Sequence, residues 1–90
     1  MKKIILNELE YELTEDHNGF DREEVEKYCT DYFIPYDYII GDWSYSKLRL
    51  KGFCDKKNKL YKKSNDIMKK ETYLKENCAY GCRYFVLKKL

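Results

Sequence analysis

YDYIIGDWSYSKLRLKGF, residues 36–53, carries three tyrosines, the only tryptophan of the chain and three cations at two-residue spacing. Its apolar run around Ile39 and Ile40 and the alternation after Ser46 read as two strands, Tyr36–Gly41 and Lys47–Cys54, joined by a polar turn at Asp42–Ser46. In the second strand Leu48, Leu50 and Cys54 fall on one face, and Lys47, Arg49, Lys51 and Phe53 fall on the other. Adjacent strands joined by so short a turn pair antiparallel. One face of that hairpin needs a core to lie on.

Outward from the hairpin, Ile4–Leu6 starts a short strand. From Glu8 the pattern alternates, Leu9, Tyr11 and Leu13 against Glu8, Glu10 and Glu12, the period of a half-buried strand with an acidic outer face. A loop over Glu15–Gly19 leads to a helix over Phe20–Phe33. There Asp21 suits the N-cap with Glu24 three residues on, and Val25, Tyr28, Cys29, Tyr32 and Phe33 make an apolar stripe. Pro35 ends it, because the residue before a proline is pushed out of helical geometry. A turn at Asp55–Asn58 returns the chain as a short strand over Lys59–Lys63. A second helix is expected over Asp66–Tyr80, with Ile67, Leu74 and Cys78 toward the core and Gly81 at its end, where left-handed backbone is needed. The last strand, Cys82–Lys88, contains RYFVL, a run too apolar for an exposed edge. The expected architecture is α+β: one small domain, residues 1–90, with a mostly antiparallel sheet of four to six strands and two helices packed on one face.

Charge divides the chain. Residues 1–40 hold four cations and eleven acids, a balance of −7, and residues 41–90 hold fourteen cations and five acids, a balance of +9. The basic half includes Lys56, Lys57, Lys59, Lys62, Lys63, Lys69 and Lys70. Such asymmetry permits a polyanionic partner; the alternative is that the halves lie together and neutralise each other. The mean hydropathy of −0.82 reflects charge and not a shortage of apolar side chains, since aromatics alone make up 17%. No apolar run approaches the ~20 residues of a membrane span. MKKIILNELEYEL meets acid too soon to be a signal peptide. The protein is therefore expected in the cytoplasm, with Cys29, Cys54, Cys78 and Cys82 as reduced thiols.

The row Lys47, Arg49, Lys51 with Trp43 and Tyr45 has the composition of a nucleic-acid platform, cations for phosphates and rings for unpaired bases. The expected binding residues are Asp42, Trp43, Tyr45, Lys47, Arg49 and Lys51, supported by the lysines at 56–63, and the expected partner is RNA or a ribonucleoprotein. Two alternatives stand beside it. The row also reads as the solvated face of an ordinary half-covered sheet, and Trp43 and Tyr45 also suit the anchors of a protein–protein adaptor.

Other constellations carry less. Cys78 and Cys82 have a zinc-compatible gap but lack a second close pair; zinc and a redox pair are the lesser readings beside buried thiols, so no metal or other cofactor is expected. His17, the sole histidine, stands beside Glu15 and Asp16 and reads as a solvated loop residue. Asp37 and Asp42 point to opposite faces of a strand, and Asp42 at a turn start reads as an Asx-turn residue. No phosphate-binding glycine loop is present, and no nucleophile–base pair is visible. Neither an enzyme nor a small-molecule site is expected.

Across residues 36–53, and again at NCAYGCRYFVLKK (residues 77–89), the chain resembles the YutD-like family of low-GC Gram-positive bacteria. YELTEDHNGFDREEVEKY (residues 11–28) is similar to that family's layout of strand, acidic loop and helix. Residues 56–70 match least. The resemblance implies a small cytosolic α+β domain and implies no activity.

Overall fold

The computed structural model describes residues 2–6, 8–77 and 82–90. Strands β1 (Lys2–Leu6), β2 (Leu9–His17), β3 (Tyr38–Ser44), β4 (Lys47–Phe53) and β5 (Tyr84–Lys89) form one sheet in the order β1-β2-β5-β3-β4. Every pairing is antiparallel. Helix α1 (Arg22–Tyr28) follows β2, and α2 (Lys70–Asn77) precedes β5. The α+β class and the strand number follow expectation.

The placement of the helices does not. Phe85, Val86 and Leu87 of central β5 are all buried, and successive side chains of a strand point to opposite faces. Phe85 and Leu87 join Tyr11, Ile39, Leu48 and Val25 of α1 in one cluster. Val86 joins Ile40 and Phe53 in a second, packed against Tyr73 and Leu74 of α2. The helices therefore cover opposite faces, and the expectation of two helices on one face is corrected. Consecutive apolar residues at 39–40 and 85–87 leave both faces in need of a lid.

Helix α1 begins as expected, with Asp21 accepting from the Glu24 amide at 3.3 Å. It ends a turn early, because Cys29 takes an extended conformation, and a 3₁₀ turn follows at Asp31–Phe33. Val25, Cys29 and Phe33 stay buried while Tyr28 and Tyr32 face outward. Helical spacing no longer applies once the helix has stopped, which is why the broad stripe narrowed. The expected strand at Lys59–Lys63 is instead irregular and leads into a 3₁₀ turn at Lys63–Asn65. Another 3₁₀ turn, Ile67–Lys69, precedes α2, and Asp66 caps it by accepting from the Met68 amide at 2.9 Å. The expectations for Cys78, Tyr80 and Gly81 lie outside the described residues.

One irregularity re-aims side chains. The β2–β5 register slips between Leu13 and Glu15, so that Leu13 opposes Leu87 but Glu15 opposes Val86. This bulge turns Glu15 and His17 from the α1 face to the α2 face.

Gly41 sits where the Phe85 ring crosses β3; a Cβ there would lie 2.2 Å from the ring. Gly41→Ala is expected to destabilise the domain by about 1–3 kcal/mol through overpacking. The check is the urea midpoint at unchanged slope; a wild-type midpoint would mean the ring moves aside freely.

Candidate functional site

The β3–β4 hairpin carries all six residues expected to bind, and their roles diverge. Asp42 does not open the turn. It lies within β3, 1% exposed and directly opposite Arg49. Arg49 grips it with two bonds, Nε to Oδ1 at 3.1 Å and Nη2 to Oδ2 at 2.7 Å. The same Nη2 donates to the Asn77 carbonyl at 2.8 Å, at the last residue of α2. A bidentate guanidinium–carboxylate pair is among the stronger polar contacts, and a cation suits a helix C-terminus. Arg49 thus straps α2 onto the hairpin.

Lys51 is also engaged, donating to the Ser64 carbonyl at 3.1 Å and lying 4.8 Å from the Tyr73 ring centre. Phe53, expected as an exposed ring beside it, is buried in the α2 cluster; the face read as an open platform is the one α2 covers. Lys47 alone of the three cations has no charged or hydrogen-bonding partner among the described residues. Since β4 is an edge strand, its alternating cations also deter pairing with another chain's strand.

Trp43 is half-buried against the α1 cluster. Its Nε1 donates to the Gly19 carbonyl at 2.7 Å, and the Arg83 guanidinium stacks 4.4 Å from its ring centre. It bolts the hairpin to the loop between β2 and α1. Gly19 is needed there, because a Cβ would come 2.6 Å from the Tyr84 backbone.

Tyr45 is the opposite case. It is 98% exposed at a two-residue turn, with φ of 52° at Tyr45 and 65° at Ser46. Positive φ at both positions defines a type I′ turn, which favours Asn-Gly. Holding L-residues there costs roughly 1–2 kcal/mol each. Backbone strain of this kind collects at binding sites.

A second group was missed in the sequence. His17 stands at the end of β2, stacked on Tyr84 with ring centres 4.3 Å apart. Its Nε2 is 3.8 Å from the Glu15 carboxylate, which also receives Lys70 Nζ of α2. Burial, then Glu15, pushes the Tyr84 hydroxyl pKa up. The signal lay in the bulge, which alternation cannot reveal. Glu15–Lys70 is the one ion pair among the described residues that joins the acidic half of the chain to the basic half.

Cysteine chemistry needs one correction. Cys82 is disulfide-bonded, so it is not the reduced thiol expected from compartment alone; bonding depends on whether a second sulfur lies in reach. A sulfur so bonded is not a zinc thiolate, which counts against the Cys78/Cys82 zinc alternative, and Cys78 itself lies outside the described residues. Cys29 and Cys54 are buried, and burial pushes both thiols' pKa up. No group of three or more His, Cys, Asp or Glu is placed to hold a metal among the described residues. No helix among them is long and apolar enough to cross a membrane.

A two-faced antiparallel sheet with two helices and a strained, aromatic hairpin tip makes this a small α+β domain. The family model described as "Putative antitoxin YutD-like" matches residues 5–88, and the chain belongs to that family. A relative from Bacillus subtilis (strain 168), "Putative antitoxin YutD", is 40% identical over 88 residues, covering 97% of each chain. The solution NMR structure of protein YutD from B. subtilis matches with a TM-score of 0.82 at 38% identity, over 100% of this chain and 83% of that one.

Two stability outcomes follow from the hairpin. Ser46→Gly is expected to stabilise the domain by about 1 kcal/mol, since glycine adopts positive φ without penalty; an unchanged denaturation midpoint would remove the strain argument. Arg49→Ala is expected to destabilise by about 3 kcal/mol, the low end for breaking a buried pair, because Arg49 itself is partly open to solvent. Arg49→Met with Asp42→Leu should lose less than Arg49→Ala alone.

Proposed function

We propose that the chain is a cytosolic binding protein that counters a protein partner, engaging it through the β3–β4 hairpin tip with Tyr45 as anchor and Lys47 beside it. The observation that carries this reading is Tyr45 itself, an almost fully exposed ring on a turn whose backbone is strained. None of the described residues buries that ring. Tyrosine is a favoured anchor of interface hot spots, since it brings a large contact area with few rotors to freeze. The name of the B. subtilis relative is "Putative antitoxin YutD", and a protein of that description would act by countering something else, which supports a binding role over an enzymatic one. An RNA platform on the same hairpin, alone or within a ribonucleoprotein, has less support, because Arg49 and Lys51 already hold α2 and the Ser64 carbonyl.

The test begins with affinity capture from nuclease-treated lysate, comparing wild type with Tyr45→Ala. For the captured protein, Tyr45→Ala is expected to weaken affinity roughly 30-fold, the loss of one hot spot of about 2 kcal/mol. Expressed alone, that partner is expected to slow growth, and wild type but not Tyr45→Ala should relieve it. Equal binding and equal relief by both forms would overturn the reading.

A further inference from the structure

A second tyrosine keeps its ring largely open to solvent, with Lys51 and Lys62 on the same groove. Tyr32 is 65% exposed. It lines a groove of about 220 Å³ together with Tyr36, Leu50, Lys51, Lys62 and Asn65. The Tyr32 ring is held in place: it meets Phe33 edge-on at 5.0 Å, and its hydroxyl lies 3.1 Å from that of Tyr36. Tyr36 is fixed in turn, since its ring covers Gly52 so closely that a Cβ there would come within 2.4 Å. The groove therefore presents a preset aromatic wall.

The opposite wall is formed by Lys62, Ser64 and Asn65, which belong to an irregular segment, residues 55–66, held by its own hydrogen bonds. Asp37 accepts from the Asp55 amide at 2.9 Å and from Asn58 Nδ2 at 3.1 Å. Buried Asn65 accepts from the Lys62 amide at 2.8 Å and donates to the Leu60 carbonyl at 3.0 Å. Asp66 accepts from the Met68 amide at 2.9 Å and from the Tyr61 hydroxyl at 2.8 Å, and these two donors hold its carboxyl below the usual range. Ordering a loop costs conformational entropy, and a loop that only solubilises the protein has no need of it. What this loop presents is Lys57, Lys59, Lys62 and Lys63, none within ion-pair distance of a carboxylate among the described residues. No acid is among the described residues lining the groove; Asp31, Asp37 and Asp66 are each one residue along the chain from a lining residue.

We propose that this groove binds a single-stranded nucleic acid, one base stacking on Tyr32 and a flanking phosphate meeting Lys62, with Lys59 and Lys63 of the same segment adding long-range attraction for the backbone. A preset ring beside unpaired ammonium groups is the arrangement such strands use, stacking for the base and charge for the backbone. An acidic peptide would use the ammonium groups but has no need of a flat ring. The site is distinct from the hairpin tip and does not rest on the reading given to Tyr45.

Fluorescence anisotropy of a labelled 12-nucleotide oligouridylate tests it, with the thymidylate oligonucleotide separating RNA from DNA. Saturable binding is expected, weakening with salt at a log–log slope of roughly −0.7 per phosphate contacted. Tyr32→Ala should weaken affinity roughly five- to hundredfold with the slope unchanged, while Tyr32→Phe should stay near wild type. Lys62→Glu with Lys63→Glu should weaken binding and flatten the slope. Tyr45→Ala should change nothing, so this site and the hairpin tip fail independently. Absence of saturable binding at low salt, full binding by Tyr32→Ala, or equal competition by polyglutamate would each overturn the proposal. Circular dichroism of the Tyr32 variants confirms that they fold, as expected for an exposed side chain.

Discussion

The burial of three consecutive side chains, Phe85, Val86 and Leu87, in the middle of the sheet constrains everything else in this domain. A strand buried on both faces cannot belong to a half-covered sheet, so a 90-residue chain has to supply two lids. Helix α1 makes one with Val25 and the nearby Cys29 and Phe33. The other is thinner: α2 contributes Tyr73 and Leu74, neither fully buried. So light a lid needs further fastening, and Arg49 to the Asn77 carbonyl, Lys51 over the Tyr73 ring and Lys70 to Glu15 provide it. The cations of β4 are thereby explained largely as attachments of α2.

The same arrangement decides how charge is distributed. Were the acidic and basic halves mutually neutralising, ion pairs between them would be common. Glu15–Lys70 is the one such pair among the described residues. The remaining pairs lie within one half, as in Arg22–Glu26, Lys27–Glu24 and Arg49–Asp42. The lysines of residues 56–63 consequently keep their field for solvent or a partner, with a reach of about a Debye length, ~8 Å at physiological salt.

Periodicity made the strands legible, because alternation is a local property: Leu9, Tyr11 and Leu13 on β2, and Leu48 and Leu50 on β4, all reach the core they pointed to. It also marked RYFVL as central. It could not say that α2 would cover the face of Arg49 and Lys51, because which helix meets which face is settled by chain-distant contacts. The bulge at Leu13–Glu15 was hidden for the same reason, and with it the group around His17 and Glu15. Tyr32 was misread by applying helical spacing beyond the point where Cys29 leaves the helix. Asp42 was misread because the turn proved to be two residues and not five, which put a carboxylate inside a strand. For the site, residue types were visible in the sequence, but which cations were already engaged was not.

The two exposed aromatic surfaces are mechanically linked and chemically separate. Tyr45 stands at one end of β4, while Leu50, Lys51 and Gly52 near the other end contribute to the Tyr32 groove. Six residues of strand separate the tip from Gly52, roughly 20 Å at 3.3 Å per residue. That distance lets two ligands occupy the domain together without touching. Yet Gly52 faces the Tyr36 ring, and Leu50 pairs with Gly41 beneath Phe85. A ligand that moved Tyr36 would therefore press on the same strand that carries the hairpin tip. Any coupling between the two surfaces would have to pass along β4 and be reciprocal in its free energy. A close-packed strand anchored by Arg49 at its midpoint resists such displacement, so the physical expectation is two surfaces that bind with little mutual influence.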